Sequence, residues 1–141
     1  MTALDAPVLP VARPVARPAL QPWFRDAKLG IFLHWGIYAA GDGIDGSEDA
    51  SWPIFNAQET VEGYMARRKH FTAARYDPAA WADFFVRAGA KYSVLIAKHT
   101  DGFALWDTAE AHWSAAKDAP AGRDLVGPYC DAVRARGLKA G

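Results

Sequence analysis

Cysteine is nearly absent from this sequence, since Cys130 is the single one among 141 residues. One thiol cannot form an internal disulfide, so folding does not depend on an oxidising compartment. Cys130 falls on the apolar stripe of a predicted helix, where a free cysteine behaves as a small hydrophobic residue. We therefore predict that Cys130 is buried and packs in the core rather than acting as a nucleophile.

The chain also lacks net charge and long apolar runs. Its 16 basic and 16 acidic residues cancel, so no overall field attracts nucleic acid or an anionic membrane. No stretch reaches the roughly 20 apolar residues that span a bilayer. A signal peptide needs an unbroken apolar run. The N-terminal segment has none, because proline interrupts it at Pro7, Pro10, Pro14, Pro18 and Pro22. We predict an extended Pro/Ala-rich tail over residues 1–22, cytoplasmic residence, and no nucleic-acid or membrane partner.

What the sequence does contain is typical of one globular domain. Apolar residues make up 51% of the chain and six residues are tryptophan, a composition that can build a core. Residues 28–36 form a short apolar run, which predicts a strand buried on both faces. Residues 92–97 predict a second buried strand, and residues 138–141 predict the beginning of a third.

One helix has clear signals at both of its ends. Asp77 and Pro78 supply an N-cap and a proline at the first helical position, and Gly89 is a left-handed stop. Helical spacing predicts a core-facing stripe formed by Trp81, Phe84, Phe85 and Ala88.

Two further helices follow from signals of the same kind. One ends at Gly137, and its apolar stripe consists of Val126, Tyr129, Cys130 and Val133. Asn56 and Glu59 have capping-box spacing ahead of residues 61–68, which predicts a short helix there.

The order strand, helix, strand, helix predicts parallel βα units. It fits a (β/α)₈ barrel or a doubly wound sheet. Residues 35–38 are bulky where a dinucleotide-binding loop needs glycines, which argues against a nucleotide site after the first strand. A complete barrel takes about 250 residues, whereas this chain supplies two and a half βα units in 141 residues. We therefore expect an incomplete fold.

Functional residues of parallel α/β folds lie at the carboxyl ends of strands. That rule selects His34 after the first strand and residues 98–103, which include His99, after the second. Neutral imidazole both donates and accepts hydrogen bonds, which suits the hydroxyls of a sugar. Asp101 precedes Gly102 and is expected to bond the backbone of its own turn. In the loop that follows, Trp106 and Trp113 are expected to form a sugar-facing wall or a hydrophobic lid.

Three blocks of the sequence carry a family resemblance. They are WFRDAKLGIFLHWGIYA (Trp23–Ala39), YDPAAWADFFVRAGAKYSVLIAKHTDGFALWDT (Tyr76–Thr108) and RDLVGPYCDAVRARGLKAG (Arg123–Gly141). In this order and spacing they resemble the opening of glycoside hydrolase family 29, the α-L-fucosidases. The resemblance implies a (β/α)₈ barrel, with residues 23–141 as the N-terminal part of its catalytic domain, and hydrolysis with retention of configuration.

The resemblance also implies sugar-binding roles for His34, Trp52, His99 and Thr100. Thr100 stands where the family usually has a second histidine, and Ala50 stands where it tends to have a glutamate. The aspartate nucleophile of the family belongs to a later strand, so no catalytic residue is assigned within residues 1–141. We expect no metal and no cofactor, and a carbohydrate partner, either a fucosylated glycan or a glycoside.

Three interpretations compete. The leading one is a retaining α-L-fucosidase of which this chain carries part of the sugar pocket, inactive on its own. The second is a non-catalytic, degenerate sugar-binding or structural remnant of the barrel, and Thr100 and Ala50 favour it. The third is a metal-dependent hydrolase, because the spacing of His34, His99 and Asp101 permits a metal although the sequence offers no further ligand.

Overall fold

The computed structural model describes residues 19–40, 52–55 and 59–141. The helices are α1 (Pro22–Ala27), α2 (Trp52–Phe55), α3 (Val61–Ala66), α4 (Pro78–Arg87) and α5 (Val126–Ala135), and 3₁₀ turns cover Ile37–Ala39 and Arg67–His70. The strands are β1 (Gly30–Leu33), β2 (Tyr92–Leu95), β3 (Phe103–Ala104), β4 (Trp113–Ser114) and β5 (Lys139–Ala140). Within these residues no helix has the length and apolar character needed to cross a membrane.

The main sheet has the order β1-β2-β5, and all its pairs are parallel. Gly30 pairs with Tyr92 and Leu33 with Leu95, so β1 and β2 run side by side without offset. Helix α4 lies between β1 and β2 in the chain, and α5 lies between β2 and β5. This arrangement confirms the predicted parallel βα units and is consistent with part of a barrel. The strands are shorter than the apolar runs that predicted them.

Helix α4 begins where its sequence signals place it. The Asp77 carboxylate accepts a hydrogen bond from the Ala80 N–H at 2.9 Å, which satisfies one of the orphan donors of the first turn. Gly89 follows the helix with φ of +85°, a left-handed conformation that glycine adopts without steric cost.

The predicted stripe of α4 is wrong in part. Phe85 is buried, but Phe84 is 57% exposed and Ala88 is also exposed. Ala82, on the adjoining side of the helix, is fully buried instead. The buried face of the helix is therefore rotated from the predicted one and contains Ala82 and Phe85. The packing of α4 against α5 sets this rotation.

The N-cap position of helix α5 is Leu125, but the capping side chain comes from the preceding residue, Asp124. The Asp124 carboxylate accepts from the Val126 N–H at 2.8 Å, and Gly137 ends the segment with φ of +74°. Tyr129 and Val133 are buried as predicted. Cys130 packs against the core and is partly rather than fully buried.

Strand β1 differs from its prediction. Phe32 is 58% exposed, although the apolar run predicted burial on both faces. The reason is the face on which Phe32 lies. Ile31 and Leu33, on the opposite face of β1, pack against the core, whereas Phe32 and its partner Val94 lie on a face that the described residues cover only in part. Helix α1, which the sequence analysis did not predict, precedes β1 and has Pro22 in its first turn. Pro22 was assigned to the extended tail, and residues 1–18 of that tail lie outside the described residues.

The short helix predicted over residues 61–68 is present as α3 and the 3₁₀ turn after it. Its N-cap is Thr60, whose hydroxyl accepts from the Gly63 N–H at 3.1 Å. Glu59 instead binds Arg67 at 2.8 Å. Asn56, the other half of the predicted capping box, lies outside the described residues.

Candidate functional site

The carboxyl ends of β1 and β2 bring two histidines together. His34 directly follows Leu33, the last residue of β1, and His99 lies four residues after Leu95, which ends β2. The two imidazole centroids are 5.5 Å apart. His34 is exposed and His99 is partly exposed. The prediction that both lie on the same rim of the sheet is confirmed.

An aromatic cluster anchors the chain next to His34. The Trp35 ring lies 5.3 Å from Phe71, 5.2 Å from Tyr76 and 5.2 Å from Trp81, between ring centroids. Aromatic pairs at such distances contribute about 0.5–1.5 kcal/mol each beyond their burial. Trp35 therefore packs into the fold beside the rim and fixes the backbone from which His34 projects.

Thr100 engages His99 directly. Its hydroxyl oxygen lies 3.0 Å from Nδ1 of the His99 ring. A hydroxyl both donates and accepts, so this bond is compatible with either neutral tautomer of the imidazole. The structure thus joins two of the four predicted sugar-binding residues to each other, and Thr100 itself is exposed.

Tyr38 is a member of this group that the sequence analysis missed. Its ring meets the His99 imidazole edge to face, with centroids 5.7 Å apart and planes at 69°. Its hydroxyl oxygen is buried and has no hydrogen-bond partner among the residues that the structure describes. Burial raises the pKa of the Tyr38 phenol, and the Asp101 carboxylate raises it further. The signal in the sequence was its place four residues after His34, in the turn that leaves β1.

Asp101 has the structural role that its turn predicted. One carboxylate oxygen accepts from the Phe103 N–H at 2.9 Å, and Gly102 adopts φ of +83°. The other oxygen accepts from the Tyr64 hydroxyl at 3.1 Å. Burial raises the pKa of Tyr64, and the Asp101 carboxylate adds to the shift. Asp101 thereby ties α3 to the loop that carries His99.

The metal-site alternative is not supported by the geometry. In residues 19–40, 52–55 and 59–141, no three His, Cys, Asp or Glu side chains cluster closely enough to hold a metal ion. His34, His99 and Asp101 lie within that part of the chain, and the carboxylate of Asp101 is engaged by Tyr64 and a backbone amide.

Three predicted aromatics remain. Trp106, in the loop after β3, is partly buried. Trp52 belongs to α2, which packs on α3, and its side chain is 52% exposed. Trp113 packs against the core, where the Arg68 guanidinium lies 5.8 Å from its ring and the His112 ring lies 4.5 Å away. Trp113 therefore closes part of the core, and its described ring contacts are with these two residues.

Comparisons with known proteins identify related chains. The family model described as Alpha-L-fucosidase matches residues 7–141, which extends the resemblance N-terminally beyond Trp23. The tissue alpha-L-fucosidase of Rattus norvegicus is 39% identical over 137 residues, covering 89% of this chain and 29% of the relative. The human tissue alpha-L-fucosidase is 37% identical over 139 residues with the same coverage. The chain thus spans about three tenths of the length of these curated relatives.

Solved structures show the same likeness. The alpha-L-fucosidase isoenzyme 1 from Paenibacillus thiaminolyticus is 41% identical and superposes with a TM-score of 0.72, covering 84% of this chain and 27% of that one. The Thermotoga maritima alpha-fucosidase in complex with fucose is 36% identical, with a TM-score of 0.66, covering 84% and 33%.

Proposed function

This chain belongs to the α-L-fucosidase family, and on that premise we propose that the protein is a retaining glycoside hydrolase that releases terminal α-L-fucose from glycoconjugates or oligosaccharides. The observation that carries the proposal is the pairing of His34 and His99, 5.5 Å apart on one rim of a parallel sheet. This rim is where parallel α/β folds place their active sites.

The chemistry of the rim suits a sugar. Each imidazole offers one donor and one acceptor, and sugar hydroxyls need both. Thr100 adds a hydroxyl beside His99. Trp52 lies on α2 and not on the segments that carry the two histidines, and its half-exposed indole offers a flat apolar face of the kind that packs against a sugar ring. We assign these four residues to substrate binding.

Bond cleavage needs two carboxyl groups, and the part of the rim that the structure describes offers no free pair of them. Retaining hydrolysis uses two carboxyl groups about 5–5.5 Å apart, one as nucleophile and one as acid and base. Asp101 stands two residues from His99, but its two oxygens accept from Tyr64 and from the Phe103 amide. We therefore assign the nucleophile to a part of the enzyme beyond residues 1–141, and expect residues 1–141 alone not to cleave a fucoside.

The experiment that tests this function is hydrolysis of an aryl α-L-fucoside by the whole protein. His34→Ala should lower kcat/KM by about 10- to 100-fold, because the substitution leaves a desolvated sugar hydroxyl without its hydrogen-bond partner, which costs about 1–3 kcal/mol. His112→Ala is the matched control, since His112 is exposed and its described ring contact is with Trp113, edge to face.

Three outcomes would contradict parts of the proposal. Unchanged activity in His34→Ala would remove His34 from the site. An equal loss in His112→Ala would show a general effect of histidine removal. Turnover by purified residues 1–141 would show that the cleavage machinery lies within them.

A second candidate is a sugar-binding protein without catalysis. Thr100, in place of the second histidine that the family usually has, favours it, because the threonine bonds its own neighbour. Calorimetric binding of L-fucose together with absent turnover by the whole protein would establish this alternative.

A further inference from the structure

Tyr38 lies in the 3₁₀ turn Ile37–Ala39, which follows β1. Its 3₁₀ turn is closed by bonds from the Ala39 N–H to the Gly36 carbonyl and from the Ala40 N–H to the Ile37 carbonyl, both 3.0 Å. Ile37 is completely buried. The backbone that carries Tyr38 is therefore fixed from both sides.

The Tyr38 ring lies directly against Gly36. A Cβ atom at position 36 would come within 2.8 Å of one ring carbon of Tyr38 and 3.3 Å of another. The backbone at Gly36 is extended, with φ of 179°, a conformation that any residue adopts. The requirement for glycine here thus comes from the ring of Tyr38 rather than from the dihedral angle.

No hydrogen bond to a described residue holds the Tyr38 ring. Its hydroxyl is buried and unpartnered among those residues, and an unpaired buried hydroxyl costs about 1–3 kcal/mol. The position of the ring is set by packing, with the Gly36 backbone on one side and the His99 imidazole 5.7 Å away.

We propose that Tyr38 is a positioning residue, whose ring, packed against the Gly36 backbone and against the His99 imidazole, fixes the orientation in which His99 meets the sugar. Thr100 holds Nδ1 of the imidazole, and Tyr38 restrains the plane of the ring. This inference rests on the proposed function, since it assigns His99 to the sugar pocket. Gly36 contributes to the same positioning, because a side chain at position 36 would displace the Tyr38 ring.

A double-mutant cycle on the whole protein tests the proposal. Tyr38→Leu should lower kcat/KM for an aryl α-L-fucoside by about tenfold in the wild-type background, and by less than about twofold when His99→Ala is already present. Tyr38→Phe, which restores the ring without the hydroxyl, should recover most of the loss. An equal loss from Tyr38→Leu in both backgrounds would show a general structural role and overturn the inference.

A second measurement separates this inference from the proposed function. Gly36→Ala keeps every ring but forces Tyr38 to move, so the NMR signals of the ¹⁵N-labelled His99 ring should shift, whereas those of His112 should not. The His99 signals are assigned by their loss in His99→Ala. Unmoved His99 signals would overturn the positioning role. Shifted signals in a protein that does not hydrolyse fucosides would support the positioning role and contradict only the proposed function.

Discussion

Removing both halves of the hydrogen bond between Tyr129 and Ser93 should destabilise the fold by less than the sum of the two single removals. The Tyr129 hydroxyl, on α5, donates to the Ser93 hydroxyl, on β2, at 2.6 Å. Both residues are completely buried. Loss of one partner leaves the other hydroxyl desolvated, which costs about 1–3 kcal/mol, whereas loss of both leaves two apolar surfaces in contact.

The magnitudes follow from that asymmetry. Tyr129→Phe and Ser93→Ala should each lower the free energy of unfolding by about 2 kcal/mol. The double variant should lose clearly less than the sum, with a coupling of about 1–2 kcal/mol. Neither substitution creates a large cavity, because Tyr129→Phe removes one oxygen and Ser93→Ala removes another.

Urea unfolding followed by tryptophan fluorescence measures these values, with the slope on denaturant checked to be unchanged. Additive losses in the double variant would refute the reasoning, because they would show that the two hydroxyls do not depend on each other. Ser114→Ala is a useful comparison, since Ser114 is also buried but its hydroxyl accepts from the Lys117 backbone amide.

Two further predictions concern α4. Trp81→Ala should lower the free energy of unfolding by about 3 kcal/mol, because the indole packs on Trp35 and Tyr76. Phe84→Ala, on the exposed side of the helix, should change it by at most about 0.5 kcal/mol in urea unfolding. Equal losses in the two variants would contradict the observed rotation of the helix. The hydrogen bond from Arg136 holds the pKa of Asp83 below its usual value, so the stabilisation is present at neutral pH and is lost as the pH falls through that lowered pKa. The melting temperature of Asp83→Asn should therefore lie below that of the wild type at pH 7 and approach it near pH 2, and a pH-independent difference would contradict the ion pair.

The sequence was sufficient for several features that depend only on neighbouring residues. Asp77 caps α4 through an amide three residues away, and Gly89 and Gly137 end their helices because their own backbones adopt positive φ. The alternation of strands and helices likewise predicted parallel pairing, and parallel pairing places His34 and His99 on one rim.

The sequence was insufficient wherever contacts join distant segments. Phe84 and Phe85 are equally apolar, and only the docking of α4 against α5 decided which of them is buried. Burial of Phe32 was predicted wrongly for a similar reason, because an apolar run does not state whether other elements cover both faces of its strand.

The sequence by itself thus determined the start of α4, the glycine stops after α4 and α5, the parallel class of the sheet and the two histidines at its rim, since these follow from local dihedral preferences and periodicity. The tertiary structure alone decided that Tyr38 touches His99 and that Asp101 binds Tyr64, 37 residues away. Such contacts form when elements pack together, and the free energy of that packing depends on the shape and position of both partners rather than on either local sequence.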